Sequence, residues 1–394
     1  MVAGAVLLAV AYLLKKAWGL ITWTWDYFSR LDRALKDVGR TGTPSGPTEG
    51  KGLWLAEPIK GPTVRCCDPH IGPPRVLVVA NAKGGVGKTT VAANLGACFA
   101  MIAQNEGKKP VLLIDLDFQG SLSSMSIAGG KDWLPPEGWD SKSTYLVSGS
   151  FAPPDIVNST LSAATVRQNG GTTKVDKLKI ITAYYDLAQA ENRVMIEWLL
   201  GDRRVDIRFR LADLLHDDIV RDAFSLIVID SPPRLTTGAI QALACGTHLL
   251  IPTILDEPSS EAVVAFVRQI ETFRDKGLCP KMEHVGVVPT MTDAIQNLGP
   301  MERLLRDRLQ LPLEQGGAGG VTELLPRFTY IPDSVAFRNA GGKGIAYLSM
   351  GNGATTTRVR TAIHNLAAKV DKAMSLGLKP PEEPYEGERL RAVP

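Results

Sequence analysis

Asn81-Ala82-Lys83-Gly84-Gly85-Val86-Gly87-Lys88-Thr89-Thr90 gathers three glycines, two lysines and two threonine hydroxyls into ten residues. Glycines without a Cβ let successive backbone N–H groups converge on phosphate oxygens. Lys88 is placed to bridge β- and γ-phosphates, and the Thr89 hydroxyl to ligate Mg²⁺. Gly84, Gly85, Val86, Gly87 and Thr90 complete the cradle around them. Two further segments end in carboxylates. Val111-Leu112-Leu113-Ile114-Asp115-Leu116-Asp117 carries a pair, and Ser225-Leu226-Ile227-Val228-Ile229-Asp230 carries one. Asp115 and Asp230 are candidate Mg²⁺ ligands, alongside Thr89, because hard oxygen donors suit that ion. A lone aspartate at a strand end is otherwise a turn former or helix cap, so it is their pairing with the phosphate loop that argues for a site.

These residues need a scaffold that brings strand ends together. Val76-Leu77-Val78-Val79-Ala80 is a short continuous apolar run leading into the glycine loop, and a helical pattern follows from Val91 to Ala100. Runs of this kind describe buried parallel strands. In an open parallel sheet, ligands gather at the carboxyl ends of strands, where the loop and both acidic turns would meet. The expected fold class is therefore α/β, a doubly wound and mostly parallel sheet of the P-loop NTPase type.

The motifs resemble those of the ParA/MinD family of P-loop ATPases. Lys83-Gly-Gly-Val-Gly-Lys88-Thr-Thr is similar to its deviant Walker A motif, Asp115-Leu-Asp117-Phe-Gln119-Gly120-Ser121 to its second acidic motif, and Asp230-Ser-Pro-Pro to its Walker B. Weaker similarity runs through His248 to Thr253, His284 to Thr290 and Tyr330-Ile331-Pro332-Asp333, the last placing Pro332 near the adenine. The resemblance implies ATP and Mg²⁺ as ligands, and a homodimer in the ATP state. Lys83 would reach the partner's phosphates, acting like an arginine finger, and Asp117 would position the attacking water. Catalysis would thus fall to Lys83, Lys88 and Asp117. Two departures stand out. Phe118 occupies a position where many members have proline, and 112 residues separate Asp117 from Asp230, pointing to an insertion at 128–175 centred on Trp133 to Lys174.

Outside that domain, expected at 75–377, the chain changes character. Residues 1–38 combine an apolar run (Val2 to Leu14), three tryptophans (Trp18, Trp23, Trp25) and basic residues Lys15, Lys16, Arg30, Arg33 and Lys36. This reads as a helix that contacts membrane lipids, spanning or lying along the surface, with the ATPase domain in the bacterial cytoplasm. A helix packed on protein is the plainer alternative. Residues 39–74 are rich in proline and glycine and read as a linker, and 378–394 as a disordered tail. Adjacent Cys66 and Cys67 lack metal-ligand spacing and read as free thiols.

The whole chain of 394 residues is 44% hydrophobic, 22% charged and +3 in net charge, with five cysteines. Those values exclude a polytopic membrane protein, a disulfide scaffold and a strongly basic nucleic-acid binder. Arg358, Arg360, Lys369 and Lys372 could still meet DNA phosphates non-specifically, although a solvated helix face gives the same pattern. The leading expectation is a membrane-tethered ATPase that switches contact with an activator or cargo, whether DNA or a membrane, conjugation or secretion complex. A non-hydrolysing ATP-binding scaffold is the alternative from another class. A bacterial tyrosine kinase fits less well, since its tail normally clusters tyrosines and only Tyr385 is present here.

Overall fold

A computed structural model describes residues 75–127, 141–166, 172–201, 205–292, 298–340 and 343–381, the short segments 53–57 and 59–62, and part of 15–33. Among these residues β1 (Val76–Val79), β2 (Val111–Asp115), β3 (Leu161–Val166), β4 (Thr172–Ile181), β5 (Leu226–Asp230), β6 (His248–Thr253) and β7 (Glu283–Pro289) build one sheet. Its order is β3-β4-β2-β5-β1-β6-β7. All pairings are parallel except β3 with β4. β1, β2 and β5 are buried along their whole length.

Alternate residues face opposite sides. Val76, Val78, Leu112, Ile114, Ile227 and Ile229 join one core, and Leu77, Val79, Val111, Leu113, Leu226 and Val228 the other. Period-two alternation with apolar residues on both faces is what a sheet covered by helices on each side requires. Each such side chain removed from water contributes roughly 1.5–3 kcal/mol. Helices Lys88–Asn105 and Ala354–Met374 cover one face, and Thr237–Cys245 and Glu257–Asp275 the other.

The register fixes the site. Asp115 sits opposite Asp230, and Asp230 opposite Val79, so both acidic ends lie beside the end of the strand that leads into the glycine loop.

At three places the described residues add detail to the expected domain limits. The 39–74 linker is not featureless: Leu53–Leu55 forms a 3₁₀ turn, and Trp54 stacks on Trp198 with ring centroids 6.4 Å apart. Arg208, 1% exposed, donates Nη1 to the Trp54 and Ala56 carbonyls at 2.9 Å each. It also holds Asp206 at 2.7 Å through Nε and Nη2. The segment is fastened by the two carbonyl bonds from a buried guanidinium, a hydrogen bond to a charged group being worth roughly 1.5–3 kcal/mol. Proline and glycine content concealed the pull of three consecutive large apolar residues, Leu53, Trp54 and Leu55. Secondly, the described part of the 128–175 insertion folds into helices Lys142–Ser148 and Pro153–Asn158 and the antiparallel edge strand β3. Thirdly, Leu378 is 2% exposed and belongs to the core rather than to the tail.

Described residues between 15 and 33 are helical, with Trp18, Trp25 and Phe28 exposed by 70%, 77% and 63%. Among the described residues no helix is long and apolar enough to cross a membrane. The apolar run at 2–14, the Cys66-Cys67 pair and residues 382–394 lie outside the described residues.

Candidate functional site

The glycine loop turns through left-handed backbone at Gly85 (φ 73°) and Gly87 (φ 77°), a conformation in which a Cβ is strained. Gly87 precedes the Lys88–Asn105 helix, whose first turn has unpaired N–H groups and a partial positive charge. An anion is the natural occupant of such a terminus. Thr290, just after β7, props the loop from behind. Its Oγ1 donates within reach of both the Val86 carbonyl (2.9 Å) and the Thr253 carbonyl (3.0 Å). Asn81 ties the loop's start to β6, donating Nδ2 to the Pro252 carbonyl at 2.8 Å and accepting the Lys83 N–H at 3.0 Å. Neither Thr290 nor Asn81 carried a chemical signal in the sequence, because each acts on backbone.

Lys88 is 8% exposed and donates Nζ to the Lys83 carbonyl at 2.8 Å. Burial lowers its pKa, opposed by the charges of Asp230 and Asp117. Asp230 is 1% exposed, and neither of its carboxylate oxygens has a hydrogen-bond partner. Burial pushes its pKa well up and the Asp115 charge adds to that, while the nearby Thr89 hydroxyl and Lys88 pull it down. Two unpaired buried oxygens beside a threonine hydroxyl are a good fit for a divalent cation or its water. Among the described residues no three His, Cys, Asp or Glu side chains gather as a ligand set. The remaining ligands of Mg²⁺ would therefore be phosphate oxygens and water, its usual arrangement.

Asp115, the other candidate Mg²⁺ ligand, already has partners within the chain. It is fully buried, and its carboxylate already accepts Ser123 N–H (2.9 Å), Ser123 Oγ (2.7 Å) and Asp117 N–H (3.1 Å). Burial pushes it up to about 7 against those bonds. Its evident work is to shape the acidic turn. Asp117 follows, half-buried, with Oδ1 accepting the Gln119 N–H at 3.0 Å and its own carbonyl accepting the Gly120 N–H at 2.9 Å. Phe118 is 37% exposed and lies against Tyr185, with ring centroids 6.3 Å apart.

Lys83, too, has partners within the chain. Its Nζ lies 3.3 Å from Asp256 Oδ1 and donates to Ser259 Oγ at 2.5 Å, both in its own chain. Asp256 caps the Glu257–Asp275 helix through Ser259 N–H. Against desolvation, the Ser259 hydroxyl and amide and then Lys83 hold Asp256 below the usual carboxylate range. Pro332 bridges to Thr292, and Ile331 N–H donates to the Pro289 carbonyl, so this segment joins the same carboxyl-end edge as Thr290.

The proposed DNA-contacting cations divide. Arg358 and Lys372 are exposed, but Lys369 lies over the Phe328 ring at 5.4 Å and Arg360 donates to the Met350 carbonyl at 3.4 Å.

Comparison with known proteins adds to this geometry. A family model described as an AAA domain matches residues 74–283. The chromosome partitioning protein ParA of Caulobacter vibrioides is 30% identical over 235 residues, covering 60% of this chain and 75% of that one. The sporulation initiation inhibitor protein Soj of Bacillus subtilis is 30% identical over 225 residues, covering 57% and 76%. The cell division ATPase MinD of Pyrococcus furiosus shares the fold with a TM-score of 0.50 at 18% identity, over 76% of this chain and 99% of that one. An ATP complex of a Cyanothece McdA variant gives 0.51 at 18% identity, over 77% and 96%.

The support role of Thr290 yields a test. Thr290→Val keeps the volume but removes the hydroxyl that reaches the loop carbonyl of Val86, so affinity for a fluorescent ATP analogue should fall by about tenfold with the circular dichroism unchanged. Unaltered affinity would show that the loop is held elsewhere.

Proposed function

The chain belongs to the ParA/MinD family of P-loop ATPases, and from that premise we propose that it hydrolyses ATP slowly with Mg²⁺ and uses nucleotide-dependent pairing of two copies as a switch at a membrane surface. One observation carries the ATPase reading: Asp230 presents two unpaired buried oxygens beside Lys88 and the phosphate loop.

Each residue then has a task. Backbone N–H groups of Gly84 to Thr90 receive the phosphates, and Lys88 exchanges the Lys83 carbonyl for phosphate oxygens. Thr89 and Asp230 would hold Mg²⁺, which when bound draws negative charge off the phosphates. Asp117, set by the Asp115–Ser123 arrangement, orients the attacking water. Lys83 leaves Asp256 and Ser259 when a second subunit presents its phosphates. The intrachain ion pair is half exposed, and such pairs are generally worth no more than about 1 kcal/mol. It is therefore easily exchanged for a stronger ligand.

The membrane part of the proposal draws on the exposed Trp18, Trp25 and Phe28 of the amino-terminal helix, whose rings suit an interfacial position. Cargo is inferred by class only. Relatives named for chromosome partitioning and a structural neighbour named for cell division favour positioning or segregation of a large object. DNA contact through Arg358 and Lys372 is a weaker part of the reading than membrane contact, since two of the four cations are engaged within the chain.

Three measurements test it. In a phosphate-release assay with lipid and DNA present, Asp117→Ala should abolish turnover, while Lys83→Ala should bind ATP yet remain monomeric by light scattering. Equal zero turnover in wild type and Asp117→Ala would favour the scaffold reading, and a persisting Lys83→Ala dimer would remove the trans role. Separately, deleting residues 1–38 should move the protein from the vesicle pellet to the supernatant; unchanged pelleting would refute the anchor.

A further inference from the structure

On the edge of the sheet opposite the phosphate loop, where β1, β2 and β5 begin, lies a cavity of about 460 Å³. Four cations line it: Arg75 just before β1, Lys108 and Lys109 just before β2, and Arg221 from the Asp218–Ala223 helix that leads into β5. No acidic residue is among the lining residues. Phe224 and Leu378 contribute apolar wall. The volume lies within the range of small-molecule sites, and a few charged groups on apolar walls is their usual make-up.

The cationic charge is only partly answered. Asp222 pairs with Lys109 at 2.5 Å, and Asp218 with Arg221 Nη1 at 2.7 Å, both acids standing largely in solvent. Arg75 and Lys108 have no acidic partner among the described residues. Arg221 is the informative member. Its side chain is 4% exposed, with Nη1 on Asp218, and its Nε is shut off from solvent without a hydrogen-bond partner, so a small turn of the guanidinium brings it to a ligand in the cavity. A buried charged donor left unmade is costly and ordinarily has a reason. Arginine is also the side chain whose planar donors best suit phosphate oxygens.

We propose that this cavity is a second anion site, taking a phosphate ester carried on a small apolar body. Arg221 supplies the buried contact, Arg75 and Lys108 the outer charge, and Phe224 and Leu378 the apolar contact. The site is separate from the phosphate loop, and nothing in its argument depends on the ATPase reading. The same chemistry has two sources, a soluble phosphate ester or the headgroup of an anionic phospholipid.

The experiment uses the full-length chain carrying Lys88→Ala, so that the phosphate loop contributes little, and titrates it calorimetrically at low salt. The probes are inorganic phosphate, glycerol 3-phosphate and short-chain phosphatidylglycerol below its micelle concentration. Binding of at least one probe with a Kd below about 1 mM is expected. The added double change Arg75→Ser/Lys108→Ser should weaken it by at least about tenfold. Both residues are surface-exposed, so this variant should fold; Arg221→Met tests the buried contact if it also folds. Tighter binding of phosphatidylglycerol than of glycerol 3-phosphate identifies a lipid source, and the reverse a soluble one. No binding of any probe, or equal binding before and after the double change, overturns the proposal.

Discussion

Two carboxylates, Asp115 and Asp230, face each other across neighbouring strands, fully removed from water, with one buried ammonium, Lys88, close by. Charges so placed are unfavourable unless something answers them. The structure resolves half of this problem internally, by giving Asp115 three donors from the turn it shapes. It leaves Asp230 answered only in part, by the Lys88 charge and the Thr89 hydroxyl. The glycine loop, the helix terminus behind it and the Thr290 prop all hold backbone donors and a cation around that unbalanced spot. The site is thus prepared for a ligand that brings both negative phosphate and a positive ion.

Much of this arrangement was legible because its chemistry uses side chains at strict spacing. The glycine loop, Lys88, Thr89 and the strand-end aspartates could be recognised, and continuous apolar runs gave the parallel strands that align them. What escaped were residues that act through backbone or across long sequence separations. Thr290 touches Val86 across 204 positions, and no local pattern marks a threonine as a prop. The hydrogen bonds to Asp115 escaped too, because its donors, Ser123 and Asp117, become its partners only once the turn closes. The docked segment at Leu53 to Leu55 escaped for another reason. Turn-forming neighbours dominate its composition, while its burial depends on Trp198 and Arg208, far along the chain.

Lys83 is engaged within its own subunit. Within a single subunit it completes the cap of the Glu257–Asp275 helix, sharing Asp256 with Ser259. That contact keeps a flexible cation out of the phosphate cradle of its own subunit. Lys83 and Asp256 are each partly exposed, so the attraction between their charges is screened by water and salt, while Ser259 is buried.

The fastening of Trp54 reaches further than the amino-terminal segment. Its indole Nε1 donates to the Leu235 carbonyl at 3.0 Å, five residues beyond Asp230. Glu191, in the same helix as Trp198, accepts the Thr236 hydroxyl and the Gly238 N–H. Tension applied upstream of residue 53 would therefore be borne first by Trp54 and Arg208, and passed on to the stretch following the acidic strand end. The segment around Trp54 is thus mechanically in series with the loop that follows the acidic end of β5.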